Sequence, residues 1–178
     1  MDELGWKVGP DGVRIKDGKR LTVVFLDTQG NREKRLDLMT VLRKQLRESG
    51  FDLRIDSQPG GSYTAKSAAG DFDLLAGSLF APDPDVLRRI HSATLRAATS
   101  VSKVEDPELE RLLEEGYRAL EPSERVAIYA RVQQLILSKG YAIPTYVLKY
   151  NVAVAKNVHG LAIDVHGFPS FYDGWLRS

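Results

Sequence analysis

The first half of the chain alternates short apolar runs with an amphipathic segment. Residues 21–26 (LTVVFL) are rich in β-branched side chains, as in a strand buried on both faces. Residues 51–55 alternate apolar and polar positions, and residues 72–76 (FDLLA) form another apolar run. Between the first two strands Asn31 could cap a helix that Gly50 ends, with its apolar stripe at Leu36, Met39, Leu42 and Leu46.

A turn at residues 59–61 separates the second strand from a short helix, for which Ser62 is the predicted N-cap and Gly70 the end. The order is therefore β-α-β-α-β, and a β-α-β unit predicts parallel strands. The fold class that follows is α/β, with a mostly parallel sheet flanked by helices.

The second half predicts a helical hairpin. Asp106 followed by Pro107 is a strong helix start, and a second helix is expected from about Ser123 to Ser138 before Gly140. The apolar stripes fall at Leu109, Leu112, Leu113, Tyr117 and Leu120, and at Val126, Tyr129, Val132 and Ile136. Ahead of the hairpin we expect a helix over residues 86–95 and a loop over residues 97–102. After it, residues 143–155 (IPTYVLKYNVAVA) are expected to be β-rich.

Composition excludes several function classes. The 178 residues carry 25 Lys plus Arg and 24 Asp plus Glu, so the net charge of +1 gives no field that would attract nucleic acid or an anionic membrane. Cysteine is absent, and the three histidines lack metal-ligand spacing, so no metal or other cofactor is expected. No apolar run approaches the ~20 residues that span a bilayer. The first residues lack a signal-peptide pattern, so we expect a cytoplasmic protein or a piece of a longer one.

Catalytic motifs are weak. Neither phosphate-binding glycine pattern occurs, and G-x-S-x-G is absent. Ser78 does follow the third strand, where open α/β sheets place ligands, which leaves a small hydrolase-like enzyme as one alternative. Asp83 and Asp85 lie in a proline-rich loop and are interpreted as turn groups that hold it. We expect no catalysis.

An ordered series of motifs resembles family 5 solute-binding proteins of the peptide/nickel-transporter type. Near the start, residues 4–7 (LGWK) and 16–21 (KDGKRL) resemble the passage that opens the C-terminal lobe of that family. Later motifs are residues 70–74 (GDFDL), the DPD turn at 83–85, the DPEL helix start at 106–109, the helix with Arg125, Tyr129, Ala130 and Gln133, and residues 143–146 (IPTY). Their order covers almost the whole chain.

The resemblance implies one lobe of a two-lobed receptor that closes on a peptide or other small solute and delivers it to an ABC transporter permease. By this resemblance the chain is expected to contain a lead-in loop and hairpin (1–20), an α/β lobe (21–142), and hinge-return strands with a tail (143–178). It also implies a periplasmic or cell-surface location and a missing N-terminal lobe of the same receptor, so we expect a fragment. A non-catalytic protein-interaction domain is the remaining alternative.

The resemblance also places the ligand contacts. Peptide-binding members carry a Trp and then an Asp for the ligand's α-amino group in the loop after the third strand. Here Ser78 takes the place of the Trp, and Ala81 or Pro82 that of the Asp, so the charge-assisted anchor for an ammonium group is absent. The candidate ligand-binding residues are Ser78, Leu79, Phe80, Ala81, Asp83, Tyr63 and Lys66.

Overall fold

The computed structural model describes residues 1–78, 81–95, 102–149, 151–165 and 167–177, with the backbone alone of Arg32. The chain divides into two compact units, Met1–Gly77 and Ser78–Ser178, and each is described by itself. No helix within the described ranges is long and apolar enough to cross a membrane.

The first unit is built on a parallel sheet. β1 (Lys7–Val8), β2 (Arg14–Lys16) and β3 (Lys19–Arg20) form a small antiparallel sheet ahead of it. β4 (Thr22–Thr28), β5 (Asp52–Gln58) and β6 (Leu74–Leu75) then pair in the order β5-β4-β6, with both pairings parallel. The predicted β-α-β-α-β order and the α/β class are confirmed.

Two helices complete this unit. α1 (Arg35–Glu48) follows a short 3-10 turn at Arg32–Lys34, and α2 is Gly60–Ala69. Met39, Leu42 and Leu46 of the predicted α1 stripe pack on Phe25 and Leu53 of the sheet, whereas Leu36 is exposed. The predicted Asn31 cap is displaced, because the N-cap position of α1 is Lys34. The Asn31 side-chain oxygen nevertheless accepts a hydrogen bond from Leu36 N–H in the first turn at 3.0 Å. The Ser62 N-cap prediction is wrong, because α2 begins two residues earlier, directly after Pro59.

The second unit is centred on the predicted hairpin. α3 (Val86–His91) precedes α4 (Pro107–Arg118) and α5 (Pro122–Ser138). The Asp106 carboxylate caps α4 by accepting from Glu108 N–H and Leu109 N–H, as expected for an Asp-Pro start. α4 and α5 bury a common core of Leu109, Leu112, Leu113, Tyr129, Val132 and Ile136. The prediction is wrong for three further stripe positions, which are exposed: Tyr117, Leu120 and Val126.

α3 ends four residues before the predicted position. The Glu110 carboxylate accepts hydrogen bonds from the Ser92 hydroxyl at 2.7 Å and from Ala93 N–H at 2.9 Å. These contacts take the backbone after His91 out of the helix. Most of the loop predicted over residues 97–102 lies outside the described residues.

The C-terminal segment differs most from expectation. Its strands are short pairs, β7 (Val158–His159) with β10 (Trp175–Leu176) and β8 (Ala162–Ile163) with β9 (Pro169–Ser170). Residues 143–149 and 151–155, predicted to be β-rich, contain no strand and are exposed throughout. A strand needs a neighbouring strand for its backbone hydrogen bonds, and within the described residues no strand pairs with this stretch.

Candidate functional site

The predicted ligand contacts fall in two places. Tyr63 and Lys66 lie on α2 of the first unit, whereas Ser78, Ala81 and Asp83 follow β6 at the start of the second unit. Ser78 and Asp83 are exposed, and Ala81 is half-buried. Leu79 and Phe80 lie outside the described residues.

Lys66 is held by acidic neighbours. Its Nζ lies 2.5 Å from the Asp56 carboxylate on β5 and 3.7 Å from that of Asp71. The hydrogen bond from Lys66 lowers the pKa of Asp56, and the same bond raises the pKa of Lys66. A ligand that used Lys66 would have to compete with this ion pair, which ties α2 to the edge of the sheet.

Tyr63 lies near a charged cluster that the sequence analysis missed. Asp27, at the carboxyl end of β4, is 3% exposed, and Arg35 of α1 approaches it at 3.3 Å while also binding Glu33 at 2.7 Å. Burial raises the pKa of the Tyr63 hydroxyl. The charge of Arg35 lowers this pKa to a smaller extent, and the charge of Asp27 raises it slightly. An acidic residue that ends a buried apolar strand is the signal that could have revealed this cluster.

Asp83 organises its own turn. Its carboxylate oxygen accepts from Asp85 N–H at 2.8 Å and from the Arg125 guanidinium at 2.7 Å. This is the turn-holding role interpreted from the sequence, now with its partner on α5 identified.

Asp85 is the more connected of the two aspartates. It accepts a hydrogen bond from the Tyr129 hydroxyl at 2.9 Å and ion-pairs with Arg88 at 2.9 Å. Burial and this hydrogen bond both raise the pKa of Tyr129. The guanidinium of Arg88 in turn lies 3.7 Å from the centre of the Tyr117 ring. The DPD turn and the helix motif with Arg125 and Tyr129 therefore form one framework, which explains why both motifs occur together.

An open groove of about 320 Å³ lies beside this framework. It is lined by Ala81, Asp83, Asp85, Val86, Arg89, Tyr117 and Arg125. Both aspartates are already paired with cations of the same unit, Asp83 with Arg125 and Asp85 with Arg88. The groove also presents the exposed Arg89 side chain and the Tyr117 ring.

Histidine is the side chain most relevant to a metal or hydrolase site. In the described ranges, no group of three or more His, Asp or Glu side chains is placed to hold a metal ion. His91 is buried in α3, where burial lowers its pKa, and His159 stacks on Trp175 with ring centres 4.4 Å apart. His166 lies outside the described residues.

Known proteins resemble this chain over most of its length, at low sequence identity. No protein-family model matches the chain. Protein XP55 of Streptomyces lividans is 22% identical over 169 residues, which cover 94% of this chain and 31% of XP55. Oligopeptide-binding protein AppA of Bacillus subtilis is 21% identical over 164 residues, covering 90% of this chain and 30% of AppA.

Solved structures agree on the fold. AppA in complex with a nonapeptide matches 99% of this chain and 36% of its own with a TM-score of 0.75 at 19% identity. The resemblance to family 5 solute-binding proteins is confirmed. NikZ of Campylobacter jejuni, in complex with Ni(L-His), matches 76% of this chain and 28% of its own with a TM-score of 0.64 at 22% identity. The chain spans about a third of the length of the curated relatives it matches.

Proposed function

We propose that this chain is the C-terminal lobe of the substrate-binding component of an ABC-type importer and holds a small solute by closure against a second lobe, without catalysis. The observation that carries the proposal is the sequence similarity to oligopeptide-binding proteins, which extends over about nine-tenths of the chain. The α/β fold and the connected DPD framework support it.

The exposed C-terminal segment supports a second lobe. Ile143, Val147 and Val154 are 74%, 90% and 46% exposed, and further large apolar side chains follow as far as Leu176. So many exposed large apolar side chains in one segment favour an interaction site. We propose that an N-terminal lobe covers it and that the solute is enclosed by hinge closure of the two. The predicted division at residues 21 and 143 belongs to this larger receptor and stays a prediction.

The ligand contacts are proposed to be the candidate residues around Ser78–Asp83 and on α2. Asp83 and Lys66 already have ionic partners, whereas the Tyr63 hydroxyl has no hydrogen-bond partner in the part of the chain that the structure describes. Tyr63 is therefore the sharpest candidate for a new polar contact.

The solute is proposed to be one that does not depend on a free α-amino group. The acidic anchor of peptide-binding members is replaced by Ala81 or Pro82, and a charged hydrogen bond of this kind contributes ~1.5–3 kcal/mol. Structural relatives hold chemically different ligands, a nonapeptide in AppA and Ni(L-His) in NikZ. By the same resemblance, the partner is a membrane permease and the location is the periplasm or cell surface.

Titration calorimetry tests the proposal with two proteins, this chain alone and this chain joined in frame to its N-terminal lobe. The probes are a pool of short peptides with blocked or free amino ends and the nickel–histidine complex. We expect no measurable binding to the chain alone, binding to the joined protein, and weaker binding after Tyr63→Phe.

Two results would contradict the proposal. Micromolar binding of a probe by the chain alone would show that a second lobe need not close over the solute. Turnover of simple esters that disappears in Ser78→Ala would favour the hydrolase alternative instead.

A further inference from the structure

Among the residues that the structure describes, no strand pairs with the outer edge of the parallel sheet at β5. β5 is the outermost strand, and its pairing with β4 is the one that the structure shows for it. Asp52 N–H donates to Leu21 C=O at 2.9 Å, and Gln58 C=O accepts from Gln29 N–H at 2.9 Å, so both residues face the β4 side. Because successive residues of a strand alternate in direction, Leu53, Ile55 and Ser57 point their N–H and C=O groups toward the free edge.

A basic face of α1 runs beside this edge. Thr40, Arg43, Lys44 and Arg47 are spaced by three and four residues and so share one side of the helix. Together with residues 51–53 they line an open groove of about 460 Å³. The groove thus combines unpaired backbone groups with cationic side chains.

The positive charge of the groove is only partly neutralised. Arg47 interacts with Asp11, and Asp52 is paired with Arg54 at 3.2 Å. Arg43 and Lys44 are exposed and form no ion pair in the described ranges. The Arg43 guanidinium and the Lys44 ammonium group are therefore available to a partner.

These features select the chemistry of the partner. A second copy of the chain would bring the same cations against each other, and like charges oppose such edge-to-edge pairing. An added strand would instead place every second side chain on the face of the sheet that α1 covers, because Leu53 packs against that helix. Carboxylates at those positions would meet Arg43 and Lys44.

We propose that the free edge of β5 and the basic face of α1 bind an extended, acidic segment of a partner protein by strand addition. Backbone hydrogen bonds to Leu53, Ile55 and Ser57 supply the attachment, and the α1 cations select acidic side chains. The site uses none of the residues proposed to contact the solute, although Lys66 pairs with Asp56 of the same strand, and its test does not depend on the proposed function.

The test uses the complete 178-residue chain and a fluorescein-labelled decapeptide of alternating Glu and Val, followed by fluorescence anisotropy. The variants are Arg43→Glu/Lys44→Glu, which reverses the charges, and Ser57→Pro, which removes a free-edge N–H while leaving the β4 ladder intact. The matched control is Arg89→Glu/Arg131→Glu, two exposed cations of the other unit. Circular dichroism and melting verify that each variant folds.

We expect the peptide to bind, the charge reversal to weaken binding about tenfold or more, Ser57→Pro to weaken it as well, and the control to leave it unchanged. The same peptide with alternate backbone nitrogens methylated should not bind. Absence of binding, equal binding of the methylated peptide, or an equal effect of the control would overturn the proposal. Binding to phosphatidylglycerol vesicles without binding of the peptide would overturn it in favour of a membrane surface.

Discussion

The helical hairpin and the segment that follows it carry equally clear apolar patterns but reach different outcomes. In α4 and α5 the central six of the nine predicted stripe residues pack together, and Leu113 and Val132 are completely buried. In residues 143–149 and 151–155 the β-branched pattern forms no strand, and Val147 remains 90% exposed. A helix forms its hydrogen bonds within itself and needs only an adjacent helix, whereas a strand depends on another strand for its backbone bonds. The first region buries its apolar side chains within its own unit, whereas the described residues of the second leave theirs exposed, as the proposed closure against a second lobe requires.

The largest effect is expected from the hairpin core. Leu113→Ala should destabilise the chain by about 2–5 kcal/mol, because it removes a buried side chain and leaves a cavity. Val147→Ala, the control in the exposed segment, should change stability by less than about 0.5 kcal/mol. Urea denaturation of both variants measures the contrast, and equal effects would show that the segment contributes to a core of its own.

A smaller effect is expected at the framework between the DPD turn and α5. Tyr129→Phe removes the hydrogen bond to Asp85, which keeps Arg88 as a partner, so the free energy of unfolding should fall by about 1 kcal/mol. Chemical denaturation at neutral pH measures it. No change would mean that the DPD turn does not depend on α5 for its stability.

The smallest effect is a pH dependence at Glu110. Burial tends to raise the pKa of this carboxyl, but hydrogen bonds from Thr94, Ser92 and the backbone of Ala93 outweigh it, so the pKa is lowered. A depressed folded pKa means that this stabilisation is present above the unfolded value of about 4.3 and is lost as the pH falls through the folded value. Stability of the wild type should therefore drop more steeply than that of Glu110→Gln between about pH 5 and pH 3.

Urea midpoints at several pH values compare the two proteins. Leu113→Ala serves as the control, since it lowers stability without removing a titrating group. Parallel pH profiles for wild type and Glu110→Gln would contradict the assigned role of Glu110 in ending α3.

The sequence predicts those elements whose signals are local. The Asp106–Pro107 start, the periodic stripes of the hairpin and the three parallel strands were all predicted, because capping and periodicity act within a few residues. The end of α3 was not, since Glu110 contacts Ser92 and Ala93 from eighteen and seventeen residues away. The strand predicted at residues 143–155 is absent from 143–149 and 151–155, because a strand also depends on a pairing partner, which a local pattern does not encode.

In the candidate site, too, local roles were predicted and long-range contacts were not. Asp83 as a turn group was predicted from its neighbouring prolines, whereas its partner Arg125 lies 42 residues away. The buried Asp27 and its pairing with Arg35 depend on where β4 ends relative to α1, which spacing alone does not give. The ligand-binding role of Tyr63, Lys66 and the Ser78–Asp83 loop stays a prediction.

Amide hydrogen exchange tests the central claim most directly, because it reports whether backbone groups are hydrogen-bonded. Exchange should be followed at residues 143–155 and, as an internal reference, at residues 128–136 of α5. In the chain alone we predict rapid exchange in the first range and strong protection in the second. In the chain joined to its N-terminal lobe, residues 143–155 should become protected, with α5 unchanged. Protection of residues 143–155 in the chain alone, or none in the joined protein, would contradict the account.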